Sequence, residues 1–368
     1  MIVGAGVLGR MLAEMLVWGP LPVRVVLAAR RLDEVAATAN MIRLSGLNQD
    51  AAVDIDAQQL DLDDESATAE AIARLAPAVL VNAASVYSYW RVEGPLEGVP
   101  KGLWLPFHLS TTYRLMRVLR RSGHEPLVVN GAYPDAVNPA LAALGLAPAV
   151  GIGNVMNVVP AIRVAASIAL NCGVQHVDVR LVAHHYVSNR LPAHGDAGGA
   201  PYLLRVYHDG TDVTDRLDVP AVLRLLPTRV RRVRGREGMA VTASSAFAVV
   251  RALVSSQPRR VHAPGPCGLA GGYPLSIDRS AVRFDLPPGV SIEEARAVNE
   301  GGQVFEGIER IDPDGRTHFV DEAVEGLRAR VGAAPASLSP AEAVGWADEL
   351  RARCEAFSAR SRGRDARQ

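Results

Sequence analysis

Gly4-Ala5-Gly6-Val7-Leu8-Gly9 follows directly on Met1-Ile2-Val3, and glycines at this spacing suit one task, the seating of a diphosphate on backbone amides. The first makes a tight turn, the second leaves room for phosphate against the main chain, and the third lets the next helix pack on its strand. Free N–H groups of the first helical residues, Val7 and Leu8 among them, would then face the anion. A second cue is Ala28-Ala29-Arg30-Arg31. An acid there would hold the ribose hydroxyls of NAD, whereas guanidinium groups pair with a 2′-phosphate, so NADP is the expected cofactor and NAD the alternative. Arg30 and Arg31 also read as solvated residues opening a helix. Asp61 is placed to reach the adenine amino group, and Asn82-Ala83-Ala84 offers small side chains where a cofactor would lie against backbone.

Hydride transfer to a carbonyl or imine needs a proton donor, and histidine suits neutral pH. His184 and His185 are the leading pair; read as strand residues they point to opposite faces, so one of them would face a cleft. His194, in a loop able to fold over the site, is the second choice. The segment from Ser85 to Arg91 follows the fourth strand, where a ligand-covering loop belongs. Arg91 and Lys101 would clamp an anionic substrate, with Tyr87 and Tyr89 donating or stacking; the rival reading is an aromatic loop packed on a domain interface. Tyr87 is followed four places on by Arg91, not Lys, which argues against the short-chain dehydrogenase mechanism. Lys101 is the single lysine, so a Schiff base would have to form there.

These residues need a frame, and the sequence supplies one. Apolar strand-like runs (23–28, 52–55, 78–82, 126–130) alternate with helical patterns (32–47, 67–75, 109–121), which predicts a doubly wound parallel sheet of Rossmann type. Beyond residue 150 a long apolar helix (154–170) leads into segments joined by Asp209-Gly210 and Asp314-Gly315, both hairpin signals. The expected organisation is α/β: a dinucleotide-binding domain over 1–150, a mixed α+β substrate and oligomerisation domain over 151–335, and a C-terminal helix with a basic tail over 336–368. That helix would start from Ser339 and Pro340 and run to about Phe357. The turn at Gly268 to Pro274 is expected only to reverse the chain. The opening strand is short, so residues are expected before Met1. Basic and acidic residues balance at 39 each, which gives no global field toward nucleic acid or membrane. Cys172, Cys267 and Cys354 form no CxxC pair, and neither a signal peptide nor a membrane span is apparent. The expected setting is the cytoplasm, with a small molecule as substrate and no metal.

Several segments in order resemble the superfamily of lactate and malate dehydrogenases and the NAD-dependent family-four glycosidases. Val128 to Asp135 is similar to the strand ending beside the nicotinamide, which implies that Asn130 holds the cofactor ring. Gly151-Ile152-Gly153-Asn154 resembles the turn opening the long helix, Val182 to His185 resembles the segment carrying the dehydrogenase histidine, and Leu203 to Val213 resembles the glycosidase branch. By this resemblance His185 acts as acid or base. The dehydrogenase Asp and Arg of the long helix are replaced by Asn157 and Pro160, so Asn157 would orient the histidine, with Arg163 one turn on as a substitute cation for the substrate. The sulfur with which the glycosidases hold manganese has no counterpart in 151–154. Leu27 to Arg31 and Val81 to Ala84 also resemble saccharopine-dehydrogenase-like and opine-type enzymes. The resemblance implies an NADP-preferring oxidoreductase acting on a carbonyl, imine or alcohol carbon, and a homodimer or homotetramer. The rival expectations are a lyase or hydrolase using transient oxidation, and a non-catalytic cofactor-binding protein.

Overall fold

The computed structural model describes residues 1–19, 21–87, 96–233 and 235–365. Strand and helix alternate through β1 (Ile2–Val3), α1 (Val7–Trp18), β2 (Val25–Ala29), α2 (Leu32–Leu47), β3 (Ile55–Gln59), α3 (Glu65–Leu75), β4 (Val79–Asn82), α4 (Leu105–Ser122), β5 (Leu127–Asn130), α5 (Pro134–Ala142) and β6 (Val150–Gly151). The strands form one parallel sheet in the order β3-β2-β1-β4-β5-β6. The strand order reverses between β1 and β4, which leaves a crevice at their carboxyl ends.

Both faces of this sheet are covered. Leu12 and Leu16 of α1 and Ile42 of α2 pack with Ile2, Leu27 and Val129 on one face. Ile72 of α3 with Leu115 and Val118 of α4 covers Val3, Leu80 and Val128 on the other. A strand buried on both sides reads as an unbroken apolar run, as β2 does. The sequence placed the third strand at 52–55, and the structure moves it to Ile55–Gln59. β3 is the sheet edge, is only partly covered, and so carries polar residues that conceal it from an apolar-run criterion.

The second half opens with α6 (Val155–Leu170) and continues through β7 (Val177–Ala183), α7 (His185–His194), β8 (Tyr202–His208), β9 (Thr211–Asp212), α8 (Val219–Arg224), α9 (Met239–Leu253), β10 (Arg259–Pro264), β11 (Gly272–Asp278), β12 (Ala281–Phe284) and α10 (Ile292–Gln303). Its antiparallel sheet runs β10-β11-β7-β8-β9, with β12 on β11. Val158, Ile162 and Ala166 of α6 pack on Val179, Leu181 and Val206. Asp209 and Gly210 turn the β8–β9 hairpin with φ of 47° and 81°, the backbone that an Asp-Gly pair favours. Gly268 to Gly271 lie in the connection from β10 to the antiparallel β11, a chain reversal.

A third, small sheet of β13 (Ile308–Ile311), β14 (Thr317–Phe319) and β15 (Ser337–Leu338) is antiparallel. With α11 (Asp321–Val331) and α12 (Ala343–Asp365) it closes on α4, where Leu105, Leu109, Ile308, Leu327, Leu350 and Cys354 share one core. β15 lies beyond residue 335 yet pairs with β14, and α12 starts later than its sequence signal. The Ser339 N–H donates to Glu342 at 2.9 Å and the Glu342 N–H donates to the Ser339 hydroxyl at 3.4 Å, a reciprocal cap spent on the turn ahead of the helix. Among the described residues no helix is long and apolar enough to cross a membrane.

Candidate active-site cleft

A cleft of about 1940 Å³ runs from the crevice of the parallel sheet to residues of the second half. At its sheet end the three glycines do different work. Gly4 has φ of +107°, and a Cβ on it would stand 2.7 Å from the Ala83 carbonyl carbon. A Cβ on Gly9 would stand 1.9 Å from the Gly4 oxygen, whereas one on Gly6 would meet nothing within 4 Å. Two glycines are therefore demanded by the fold, and the third keeps space open. Gly6 caps α1 with no side-chain bond, which leaves the amides of the first turn available. This cradle fits the diphosphate of a dinucleotide. Val7, Leu8, Ala83, Ala84, Arg30, Arg31 and Asp61 line the same cleft. Arg31 reaches Glu34 at 2.5 Å with both side chains largely in solvent, and Asp61 accepts the Asp63 N–H at 3.1 Å.

Asn82 and Asn130, expected at the cofactor, are fully buried behind the wall. Asn82 donates to Thr112 at 3.0 Å and to the Asn130 side chain at 3.1 Å; Asn130 donates to Asn138 at 2.9 Å, and Asn138 to the Gly265 carbonyl at 2.9 Å. Their oxygens accept the N–H groups of Ala84 and Ala132. With their polar atoms consumed inside the protein, they shape the loops that follow β4 and β5 rather than touch a ligand.

The histidines also differ from the strand reading. β7 stops at Ala183, His184 caps α7, and His185 is the first helical residue. The helix corner, not strand alternation, separates them. His184 is fully buried, and its Nδ1 accepts the Tyr186 N–H at 3.5 Å. Burial lowers its pKa to about 4, against the opposing charge of Glu306. His185 lines the cleft. Its Nδ1 lies 2.8 Å from Glu306 Oε2, and its Nε2 lies 2.8 Å from the Asn189 amide one turn along α7. Asn189 donating to Nε2 places the imidazole proton on Nδ1, where it donates to Glu306.

Glu306 ends the 3-10 turn Val304–Glu306 after α10. The Tyr133 hydroxyl donates to the same carboxylate oxygen at 2.9 Å, and the Tyr133 ring stands edge-on to His185 with centroids 5.3 Å apart. Burial works against the Glu306 charge, but His185, Lys101 and His184 hold its carboxyl down to about 2. Asp135 accepts the His185 N–H at 3.0 Å and a bond from Asn154. Burial and then the Glu306 charge push the Asp135 carboxyl well above the usual range, so Glu306 is the acid that carries the charge beside His185. Tyr133 and Asn154, each capping a helix beside this cluster, adopt φ of +46° and +49°, backbone that non-glycine residues rarely accept.

The remaining expected residues scatter. Asn157 lines the cleft, but its amide donates to Thr242 at 3.0 Å, and the orienting partner of His185 is Glu306. Arg163 donates to the carbonyls of Val177 at 2.8 Å and Val174 at 3.2 Å. It ties the middle of α6 to the turn before β7 and to the start of that strand. Tyr87 is buried and packs on Phe107 with centroids 5.4 Å apart. Arg91 and Tyr89 lie outside the described residues. Lys101 and His194 line the cleft. Sequence reasoning missed Glu306 and His108. Glu306 stands 121 residues after its histidine, in no motif, and His108 reads as one polar residue of a helix.

No family model matches this sequence, and no curated protein matches it. Solved structures do match. Lactate dehydrogenase from Eimeria maxima with NADH and oxamate superposes with a TM-score of 0.57 at 13% identity, over 82% of this chain and 90% of that one. Malate dehydrogenase from Aeropyrum pernix gives 0.53 at 15% identity, over 83% and 95%. Malate dehydrogenase from Cryptosporidium parvum gives 0.54 at 13% identity, over 83% and 98%. The six-stranded parallel sheet and the antiparallel sheet that follows it are those of the lactate and malate dehydrogenase fold.

Proposed function

We propose that this chain is an oxidoreductase that moves a hydride between a nicotinamide dinucleotide and a carbonyl, imine or alcohol carbon of a small polar substrate, with NADP as the preferred dinucleotide. One observation carries the reading: the His185–Glu306 pair opens onto the same cleft as the glycine cradle. A bound nicotinamide would supply hydride acceptance or donation at its ring. The amides after Gly6 would hold its diphosphate, Arg30 and Arg31 its 2′-phosphate, and Ala83 and Ala84 would form the floor beneath it.

The protein's own chemistry is proton transfer. Glu306 fixes the Nδ1 proton, which leaves Nε2 to exchange a proton with the substrate oxygen or nitrogen once the substrate replaces Asn189 as its partner. When the ring is charged, the adjacent carboxylate stabilises it without taking the proton, since that carboxyl is held at about 2. The fold shared with dehydrogenases, one of them solved with NADH and oxamate, supports the reading. A cytoplasmic dimer or tetramer is the accompanying proposal for setting and assembly, and sedimentation velocity measures the latter.

Fluorescence titration with NADPH and NADH tests the cofactor assignment. The expected result is tighter NADPH, with R30Q/R31Q weakening NADPH by about tenfold or more through lost charge-assisted bonds and leaving NADH within about twofold. Equal affinity for the two dinucleotides would overturn the NADP preference. Binding of neither would overturn the oxidoreductase reading.

A further inference from the structure

The turn Tyr133-Pro134-Asp135 at the head of α5 holds His185 by two routes. Asp135 Oδ1 accepts the His185 main-chain N–H at 3.0 Å, which fixes where α7 begins. The Tyr133 hydroxyl donates to Glu306 Oε2 at 2.9 Å, the same oxygen that lies 2.8 Å from His185 Nδ1. Backbone and ring of one histidine are thus gripped by three consecutive residues of the parallel-sheet half, although His185 and Glu306 belong to the second half.

Local sequence does not favour this turn. Tyr133 has φ of +46° and ψ of +57°, a left-handed backbone that a bulky side chain rarely takes, and it precedes a proline, which steers the residue before it toward extended backbone. Tertiary contacts impose it. Asn130 Oδ1 accepts the Ala132 N–H at 2.9 Å while the Asn130 amide donates to the Ala132 carbonyl at 3.1 Å, so the residue before Tyr133 is clamped on both sides. Strain that the surroundings maintain beside a reacting group points to a constraint on that group. The Tyr133 side chain is buried, and burial, then the Glu306 charge, push its phenol above the usual range, which keeps the hydroxyl a donor.

Two donors on one carboxylate oxygen compete. A hydrogen bond from Tyr133 stabilises the charge on Oε2 and so weakens the pull of that oxygen on the Nδ1 proton of His185. We propose that Tyr133 is a positioning residue for proton transfer: its hydroxyl, set by the left-handed turn, shares Glu306 Oε2 with His185 and tempers the carboxylate's hold on the Nδ1 proton, so that the imidazole can both take and return a proton at Nε2. This inference rests on the proton-transfer role given to His185 above. Lys101 and His184 also act on the Glu306 charge, Asp135 lies next to it in the same cluster, and His108 stands beside Tyr133 with ring centroids 6.1 Å apart. Substituting Tyr133 leaves these four groups in place, so its effect is separable from theirs.

Histidine-selective ¹⁵N NMR tests the assignment without a substrate. Full-length wild type, Y133F, E306Q and Y133F/E306Q would be compared at one pH, with His185 assigned by the loss of its signal in H185N and melting curves to verify folding. The ring nitrogens are read through the carbon-bound ring protons, so solvent exchange does not hide them. In Y133F the carboxylate oxygen acts on His185 without its competitor, and Nδ1 is expected to move downfield, with its proton following where that is seen. In the E306Q background the same substitution should shift Nδ1 at least threefold less, because the coupling runs through the carboxylate. Should Y133F not fold, 3-fluorotyrosine throughout the wild-type chain supplies a stronger phenol donor in the same place, and Nδ1 should then move upfield. A His185 ring unmoved by Y133F or by 3-fluorotyrosine would overturn the proposal and leave Tyr133 a packing residue, as would an equal shift with and without the Glu306 charge. NADPH titration of the wild type keeps the two readings apart: unmoved His185 signals in a chain that binds NADPH overturn the role of Tyr133 alone, whereas no NADPH binding overturns the hydride-transfer reading beneath it.

Discussion

His185 is held from both ring nitrogens, by Glu306 at 2.8 Å on one side and Asn189 at 2.8 Å on the other, so its proton position is set before any substrate arrives. A residue in that state is predisposed to exchange protons through Nε2 alone. Substituting His185→Asn should lower kcat by about 10²–10⁴-fold, the usual worth of a positioned acid or base. Glu306→Gln keeps an oxygen for Nδ1 and for the Tyr133 hydroxyl but removes the charge. Its expected effect is a fall in kcat of about 10–100-fold with KM nearly unchanged, since no substrate contact is lost. Single-turnover and steady-state kinetics together measure the split. A change confined to KM would show that Glu306 binds substrate instead of positioning the imidazole.

At the scale of elements, the turn from β1 into α1 separates structural from ligand-directed glycine. Gly6→Ala meets open space and should leave the fold intact while weakening NADPH binding by about 100-fold, because a bidentate or charge-assisted contact to phosphate is worth about 1.5–3 kcal/mol. Gly9→Ala drives a Cβ into the Gly4 carbonyl and should destabilise the protein by about 3 kcal/mol or prevent folding. Circular dichroism melts with NADPH titration distinguish the two. The buried amide chain of Asn82, Asn130 and Asn138 joins β4 and β5 to the Gly265 carbonyl ahead of β11. Asn138→Ala should cost about 1–3 kcal/mol by orphaning two buried groups, read as a lower melting temperature. Alternation of strand and helix was legible through residue 130 because the inner parallel strands are buried on both faces, whereas α5 and the two-residue β6 were not read from the sequence. The β7–α7 corner was not, since His184 and His185 sit where strand and helix signals overlap.

At the scale of the whole molecule, three histidines, His184 and His262 buried and His108 partly so, link stability to pH. His262 accepts the Leu181 N–H at 3.1 Å and His184 accepts the Tyr186 N–H, so both rings must be neutral to keep their bonds. Burial lowers His184 and His108 to about 4 and His262 to about 3. Unfolded histidine titrates near 6.5, so their contribution is whole above that value and is lost as pH falls from about 6.5 to about 4. Glu306, lowered to about 2, adds a loss that sets in below about 4.5. Asp135, raised by burial and by Glu306, works in the opposite sense, since protonation suits its folded environment. Three groups outweigh one, and the melting temperature should fall by more than about 10 °C between pH 7.5 and 4.5. Scanning calorimetry across that range checks it, and a flat profile would show that these rings are solvated.

What the sequence determined by itself was local. The glycine turn, the arginines after β2, the apolar runs and the Asp-Gly hairpins act through neighbours a few residues apart, so their spacing carries their meaning. What only the tertiary structure decided was the partnering of groups remote along the chain. Glu306 reaches His185 across 121 residues, His108 comes from α4, the helix between β4 and β5, and Asn130 and Arg163 turn to protein groups instead of ligand. Such pairs form when packing brings two elements together, and a buried polar atom then takes whichever partner packing places beside it.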